Sequence, residues 1–245
     1  MKRFFYCIIV LLLGIVTMAT ANVGKDVIVN GINLSNKDTE LTFVEVETRY
    51  ETNDGYGVYD VYKDGDSAVY RFLHGTDLLC GVYNRGFKSD SVLVFKPDSE
   101  LIDIGNKYME NIFGKHHDYT FSHIGDYNDL NFRGIAYTYM INGIPTDDKV
   151  VIWISGEGDV ISLVAYNRDR YADVSIFKRA SVAKNYKKIT NEVRDSYVEA
   201  VINGTNYDVR DEYISKNQEG DLVYVLEVED LSPQYIKIER IEIPI

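Results

Sequence analysis

Residues 150–167 read VVIWISGEGDVISLVAYN. Two runs of strand-forming residues flank Ser155-Gly156-Glu157-Gly158, and two glycines in four positions let the chain reverse tightly. Alternation puts Val150, Ile152 and Ile154 on one face and Val151 and Trp153 on the other. On the return run it sets Ile161, Leu163 and Ala165 against Val160, Ser162, Val164 and Tyr166. A hairpin apolar on both faces belongs in the middle of a sheet, with a helix on one side and a second layer or a partner on the other. The expected fold class is therefore α+β with antiparallel sheets.

Upstream, KPDSELIDIGNKYMENIFGK supplies the helix. Pro97 stops the preceding strand, Asp98 or Ser99 caps the first turn, and Leu101, Ile104, Tyr108 and Ile112 recur at helical spacing beside Ile102, Met109 and Phe113. Gly114 is the expected left-handed C-cap. Strands are expected over 119–124, 131–141, 149–154 and 159–166. In 131–141 the bulky Ile135, Tyr137, Tyr139 and Ile141 share one face, and Gly134, Ala136 and Thr138 leave room on the other for a helix to lie close.

Before the helix, residues 41–95 form a run of short β segments, LTFVEVETRY, GVYDVY, SAVYRFL, LLCGVYN and SVLVF, separated by Asn53-Asp54-Gly55, Asp64-Gly65-Asp66, Gly75 and Asn84-Arg85-Gly86. Asn and Asp before Gly provide the positive φ of tight hairpins, so a meander is expected. After the hairpin, Thr190 caps a second helix through NEVRDSYVEAVI, with Val193, Tyr197, Ala200 and Val201 on one side and Asn203-Gly204 at its end. Strands 207–214, 222–228 and 235–243 follow. Helix then strands thus occurs twice, giving the expected division: a β-rich meander over 22–96, a first α+β unit over 97–180 and a second over 181–245.

The helix ELIDIGNKYMENIFG, the Tyr-rich strands and INGIPTDDKVVIWISGEGDVISLVAYN, with its Asn-Gly-Ile-Pro step and strand, Gly, strand hairpin, resemble the PepSY and YcdB/YcdC-type modules of exported bacterial proteins. KKITNEVRDSYVEAVIN with YDVRDEYISKNQEGDLVYVLEVED resembles a second unit, so the resemblance covers roughly 97–245. The turn departs from the Asp-x-x-Thr-Gly common in that family, having Ser155-Gly156-Glu157-Gly158 instead. The resemblance implies an extracytoplasmic, non-catalytic module that binds or restrains another protein, often a peptidase, and it transfers no catalytic residues.

Met1 to Ala21 has the pattern of a secretory signal peptide: Lys2 and Arg3, the apolar run Phe4–Val16, then Met18-Ala19-Thr20-Ala21. Cleavage before Asn22 is expected, and the alternative is a retained anchor. Removing Lys2 and Arg3 from 26 basic residues leaves 24 against 38 acidic, a charge of −14. Such a chain repels nucleic acid and anionic lipid. Cys7 leaves with the signal, so Cys80 has no intramolecular partner and reads as a small apolar residue. The expectation is a secreted or envelope protein with no stable membrane insertion after cleavage.

None of the G-x-S-x-G, P-loop, H-E-x-x-H, C-x-x-C or complete G-x-G-x-x-G motifs is present. His116, His117 and His123 cluster near Asp118 and Asp126, and an exposed loop after a helix explains them better than a metal. Asp60, Asp64 and Asp66, and Asp126 with Asp129, do not fit a calcium loop. No catalytic residue, metal or cofactor is expected, and the chain is read as non-enzymatic.

Tyrosine stands out, at 20 residues against 10 Phe and one Trp. It suits half-buried strands, and an aromatic sheet face also suits an extended peptide or glycan. The candidate binding residues are Tyr137, Tyr139, Trp153, Glu157 and Tyr166, with a protein or peptide as the first partner and a cell-wall glycan as the second. Two alternatives stand beside this reading. One is an envelope hydrolase using carboxylates such as Asp126, Asp129 or Glu157. The other is a structural protein that self-associates through residues 235–243, where Ile236, Ile238, Ile241 and Ile243 template pairing and Lys237, Glu239 and Arg240 guard the edge.

Overall fold

The computed structural model of the 245-residue chain describes residues 41–51, 55–65, 68–85, 87, 96–126, 132–168, 170–189, 191–202, 206–231 and 237–245. The signal-like segment, SVLVF, Thr190, the Asn203-Gly204 helix end and Ile236 lie outside them.

The hairpin is central, as expected of a run apolar on both faces. Strand β7 (Ile144–Ser155) pairs with β6 (Phe132–Ile141) along one edge and with β8 (Val160–Tyr166) on the other. Beyond β6 lies β5 (Tyr119–Asp126). Beyond β8 the sheet continues through β4 (Leu79–Asn84), β3 (Ala68–Leu73), β2 (Gly55–Asp64) and β1 (Leu41–Glu51), all antiparallel. The meander is thus stitched edge to edge onto the hairpin through Gly81↔Val164, Val82↔Leu163 and Tyr83↔Ser162. It extends the sheet and is not the second layer over the hairpin.

Among the described residues the cover over the hairpin is α1 (Asp98–Phe113). Leu101, Met109 and Ile112 pack with Ile135, Tyr137, Val150, Ile152, Ile154 and the inward residues of the meander, Tyr70, Phe72 and Val82. The helix lies on the bulky side of β6, opposite to the expected side. Gly105 makes this possible, because a Cβ there would stand 2.5 Å from the Tyr137 hydroxyl and 3.1 Å from Ile135 Cδ1. The small side of β6 serves Trp153 instead, whose ring lies where a Cβ on Gly134 would be. Replacing Gly105 with valine is expected to cost about 2–3 kcal/mol, since overpacking at a closed helix–sheet contact forces the backbones apart. A urea midpoint shifted down at unchanged slope is the measurement.

The first turn of α1 has no side-chain cap. Asp98 is already helical, Pro97 occupies the cap position, and Asp98 pairs with Arg133 while Lys96 pairs with Glu100. At the other end Gly114 has φ 83° and ψ 164°, an extended, positive-φ conformation and not the left-handed helical one. Two further strand details depart from simple alternation. A bulge at Ile161 puts Val160 in the same core as Leu163 and Ala165. Strand β7 begins five residues earlier than expected, because Asn142 and Gly143, both at positive φ, close a two-residue hairpin that pairs Ile141 with Ile144.

The remaining strands, β9 (Tyr207–Lys216), β10 (Leu222–Asp230) and β11 (Lys237–Pro244), form an antiparallel group joined to β7 by a parallel step at Thr146↔Ile214. Between them and β8 lie α2 (Ile176–Tyr186), which the sequence reading missed, and α3 (Asn191–Val201). Ser175 starts α2 by accepting a hydrogen bond from Lys178 N at 3.2 Å, and Val182 enters a junction core with Ile141, Ile144, Tyr171, Val174, Ile214 and Leu222. Helix α3 faces the sheet with Val198, and Ile202 follows one turn on, over Tyr224, Leu226, Ile241 and Ile243. The expected stripe of Val193, Tyr197, Ala200 and Val201 is exposed, because Val198 and Ile202, four residues apart, supply the apolar contact with the sheet instead, and Arg194 binds Glu212 at 2.6 Å beside it. The edge strand β11 buries Ile241 and Ile243 and exposes Ile238. Among the described residues no helix is long and apolar enough to cross a membrane.

Candidate cleft on the uncovered face of the sheet

β8 and β9 use the same edge of β7 in succession: Tyr166 faces Lys149, and Ile214 faces Thr146. They do not pair with each other, so a cleft opens where they part. It has a volume of about 750 Å³ and lies on the face away from α1. One wall is the sheet: Arg49 from β1, Tyr59 from β2, Val69 and Arg71 from β3, Gly81 and Tyr83 from β4, and Ser162, Val164 and Tyr166 from β8. The other wall is Asp211 and Tyr213 from β9 and Glu227 from β10. Asp147 and Lys149 of β7 lie at the junction, and Arg85 stands at the rim just past β4.

The junction is held by buried polar groups. Asp147, 7% exposed, accepts from the Tyr171 hydroxyl and from Ser215 Oγ at 2.7 Å, with Arg170 Nη1 3.7 Å away. Tyr171 also reaches Ile214 O at 2.8 Å, and Arg240 Nη2 donates to Ser215 at 3.1 Å. On the far side of the strand Tyr119 donates to Asp148 at 2.9 Å. Thr146 Oγ1 donates to Tyr139 O at 2.9 Å, binding the bulged end of the β6–β7 pair. Burial, and next the facing carboxylates Asp147 and Asp148, push the Tyr171 and Tyr119 hydroxyls far above the ordinary tyrosine range.

Charges line the cleft unevenly. Arg71 Nε donates to Glu47 at 2.6 Å, and Arg49 lies 3.5 Å from the same carboxylate. Lys149 Nζ reaches Asp211 at 3.0 Å and sits 5.7 Å above the Tyr213 ring. The Tyr213 hydroxyl donates to Glu227 at 2.6 Å, and burial followed by that bond pushes it up. The sheet wall is therefore rich in guanidinium and the β9–β10 wall in carboxylate. Tyr83 and Tyr166 offer half-exposed rings, at 51% and 50%. The arrangement can ion-pair, stack and accept hydrogen bonds from a bound chain.

The five candidate residues from the sequence are not brought together. Tyr166 lines the cleft. Tyr137 lies in the core under α1, its hydroxyl donating to Asn106 at 3.1 Å. Tyr139 stacks on Tyr171 in the junction, the rings 6.1 Å apart and nearly parallel. Trp153 packs edge-on against Phe132. Glu157 sits exposed at the hairpin tip, six strand residues or about 20 Å from Tyr166. The arginines and Lys149 were missed; the one available signal was parity, since Arg71 alternates with the core residues Tyr70 and Phe72.

Other expectations resolve locally. Asp60 binds His74 Nδ1 at 2.6 Å and Gly75 N at 3.0 Å, closing the β3–β4 turn. His117 packs edge-on against Phe113 and Tyr119, and His123 is exposed on β5. Among the described residues no three His, Cys, Asp or Glu side chains gather as metal ligands. Asp66 and Asp129 lie outside those residues. Cys80 is buried at a bulge in β4, its thiol donating to Leu78 O at 3.6 Å.

No family model matches the chain, and no curated protein does. Among solved structures it is similar to the Bacillus megaterium YpeB C-terminal domain, with 14% identity over 91% of this chain and 98% of that one and a TM-score of 0.42. At that score nothing about fold or function follows from the likeness.

Proposed function

We propose that the chain is an exported, non-catalytic module that binds a protein or peptide partner at the cell envelope, with the cleft as its working surface. The observation that carries this reading is the cleft itself: a sheet with a helix on one face and a charged, tyrosine-bearing hollow on the other. The order of elements, one helix followed by four strands and then helices followed by three, is in keeping with the PepSY-like resemblance of residues 97–245, and restraint of a peptidase is the form of binding that resemblance implies. The secretory pattern of Met1 to Ala21 supports the location.

The test is capture from an envelope extract of the source organism on the immobilised chain, beside a Tyr166→Asp variant. One protein enriched by the first and lost with the second is the expected result. Capture indifferent to the variant removes the cleft from the reading, enrichment of wall glycan replaces the partner class, and hydrolytic turnover by the purified chain overturns the non-catalytic assignment.

A further inference from the structure

The helices differ in what they turn to solvent. Helices α2 and α3 lie on the face of the sheet away from the cleft: they cover Leu222, Tyr224 and Leu226 of β10, whereas Glu227, of opposite parity, lines the cleft. From Asp98 to Asn111, α1 exposes only polar residues, Asp103, Asn106, Lys107 and Glu110 among them. Helix α3 instead exposes Val193, Tyr197 and Val201, at 36%, 37% and 47%, together with Ala200, on the side opposite its anchors Val198 and Ile202. A contiguous apolar stripe of this kind marks a contact surface. Glu192 and Glu199 run along one border of it, and neither has a side-chain hydrogen bond or ion pair among the described residues.

Helix α2 carries the opposite charge. Residues 174–190 hold Lys178, Arg179, Lys184, Lys187 and Lys188 and no acid, in a chain of formal charge −12. Arg179 is bound to Asp118, and Asp173, just ahead of the helix, is held by Lys216. The four lysines are exposed and have no side-chain hydrogen bond or ion pair among the described residues. Between Lys178 and Lys184 the outward residues are Ala180 and Ser181, small enough for an apolar stripe to lie close.

We infer that a second copy of this chain covers the stripe, in a two-fold dimer that lays α2 of each copy along α3 of the other. A two-fold axis makes each such contact twice, so one surface that holds both the basic helix and the acid-bordered stripe is complementary to itself. The apolar side chains form the buried centre, and the lysines meet Glu192 and Glu199 at the rim. A polyanion would satisfy the lysines but leave the stripe open and face the acids beside it. The dimer joins helix layer to helix layer and leaves both clefts pointing outward, so it does not depend on what the cleft holds.

The experiment is sedimentation equilibrium of the purified mature chain over about 1–200 µM, the range of a small, weak interface. The mass is expected to rise from that of a monomer to twice that value. Tyr197→Glu, at an exposed site outside the core, is expected to weaken association at least about tenfold with circular dichroism unchanged. Lys178→Glu with Lys184→Glu sets acid against acid, and Glu192→Lys with Glu199→Lys sets base against base; each pair alone is expected to weaken association about fivefold. An equimolar mixture of the two double variants is expected to restore it, because in the mixed dimer both reciprocal contacts join opposite charges. A monomer throughout the range overturns the inference, and so does a dimer indifferent to Tyr197→Glu. A mixture no stronger than its parts overturns the α2-on-α3 arrangement. If the chain stays monomeric and a captured envelope protein is lost with Tyr197→Glu but kept with Tyr166→Asp, the stripe belongs to that partner and the dimer falls.

Discussion

Between about pH 11 and 12 the chain is expected to lose its far-ultraviolet ellipticity in one step, with tyrosinate absorbance near 295 nm rising in the same step. Six tyrosines carry the effect. Tyr70, Tyr119, Tyr137, Tyr171, Tyr213 and Tyr224 are all held far above the ordinary value of about 10, in each case first by burial. Carboxylates add to it, Asp64, Asp148, Asp103 and Asp147 by charge beside the first four, and Glu227 and Glu212 by accepting hydrogen bonds from the hydroxyls of the last two. The sign follows from which form the fold prefers. The native state keeps these protons where the unfolded chain has lost them, so stability is fully present below the unfolded value of about 10 and drains away as pH rises above it. Each pH unit past that point costs at most about 1.4 kcal/mol for one fully buried tyrosine, so several such groups titrating together remove a large part of a domain's stability. Full tyrosine ionisation with the ellipticity intact would contradict the burial of these rings.

Ile152→Ala is expected to cost about 2–5 kcal/mol, and Val151→Ala, its neighbour, about 1 kcal/mol. Ile152 is fully buried between α1 and the inward residues of β6 and β8, where a truncation leaves a cavity that the closed sheet cannot collapse. Val151 points to the uncovered face and is only half-buried. Urea unfolding of the two variants reads the covered face against the open one directly. Equal costs would mean that the second face is closed by something as tight as α1, which would leave no room for a cleft.

Much of the architecture was legible because its signals are local. The 150–167 hairpin, the helix over 98–113 and the meander's turns at Gly65 and Gly75 all rest on contacts within a few residues. What failed rests on partners far away in sequence. Nothing in LLCGVYN announces that Val82 lies against Leu163, or that Asn84 bonds Val160 O across 76 positions, so the meander's place in the sheet was invisible. Helix α2 escaped because its apolar periodicity is weak and its one clear signal is the Ser175 cap. The rotation of α3 was misread because Val198 and Ile202 form a second apolar line on the same helix, and only the distant strand residues Tyr224, Leu226, Ile241 and Ile243 select it. The cleft escaped for the same reason as the sheet: parity gives the face of each arginine, and only strand pairing shows that the faces join.

The two walls of that cleft are written far apart in the chain. Arg49, Arg71 and Arg85 are made early, and Asp211, Tyr213 and Glu227 follow more than a hundred residues later, with β7 and its Asp147 clasp in between. A chain that emerges amino end first therefore displays one wall, as a bare sheet face, well before the other exists. The cleft is complete only with β9 and β10, so a chain cut short before β9 lacks its carboxylate wall.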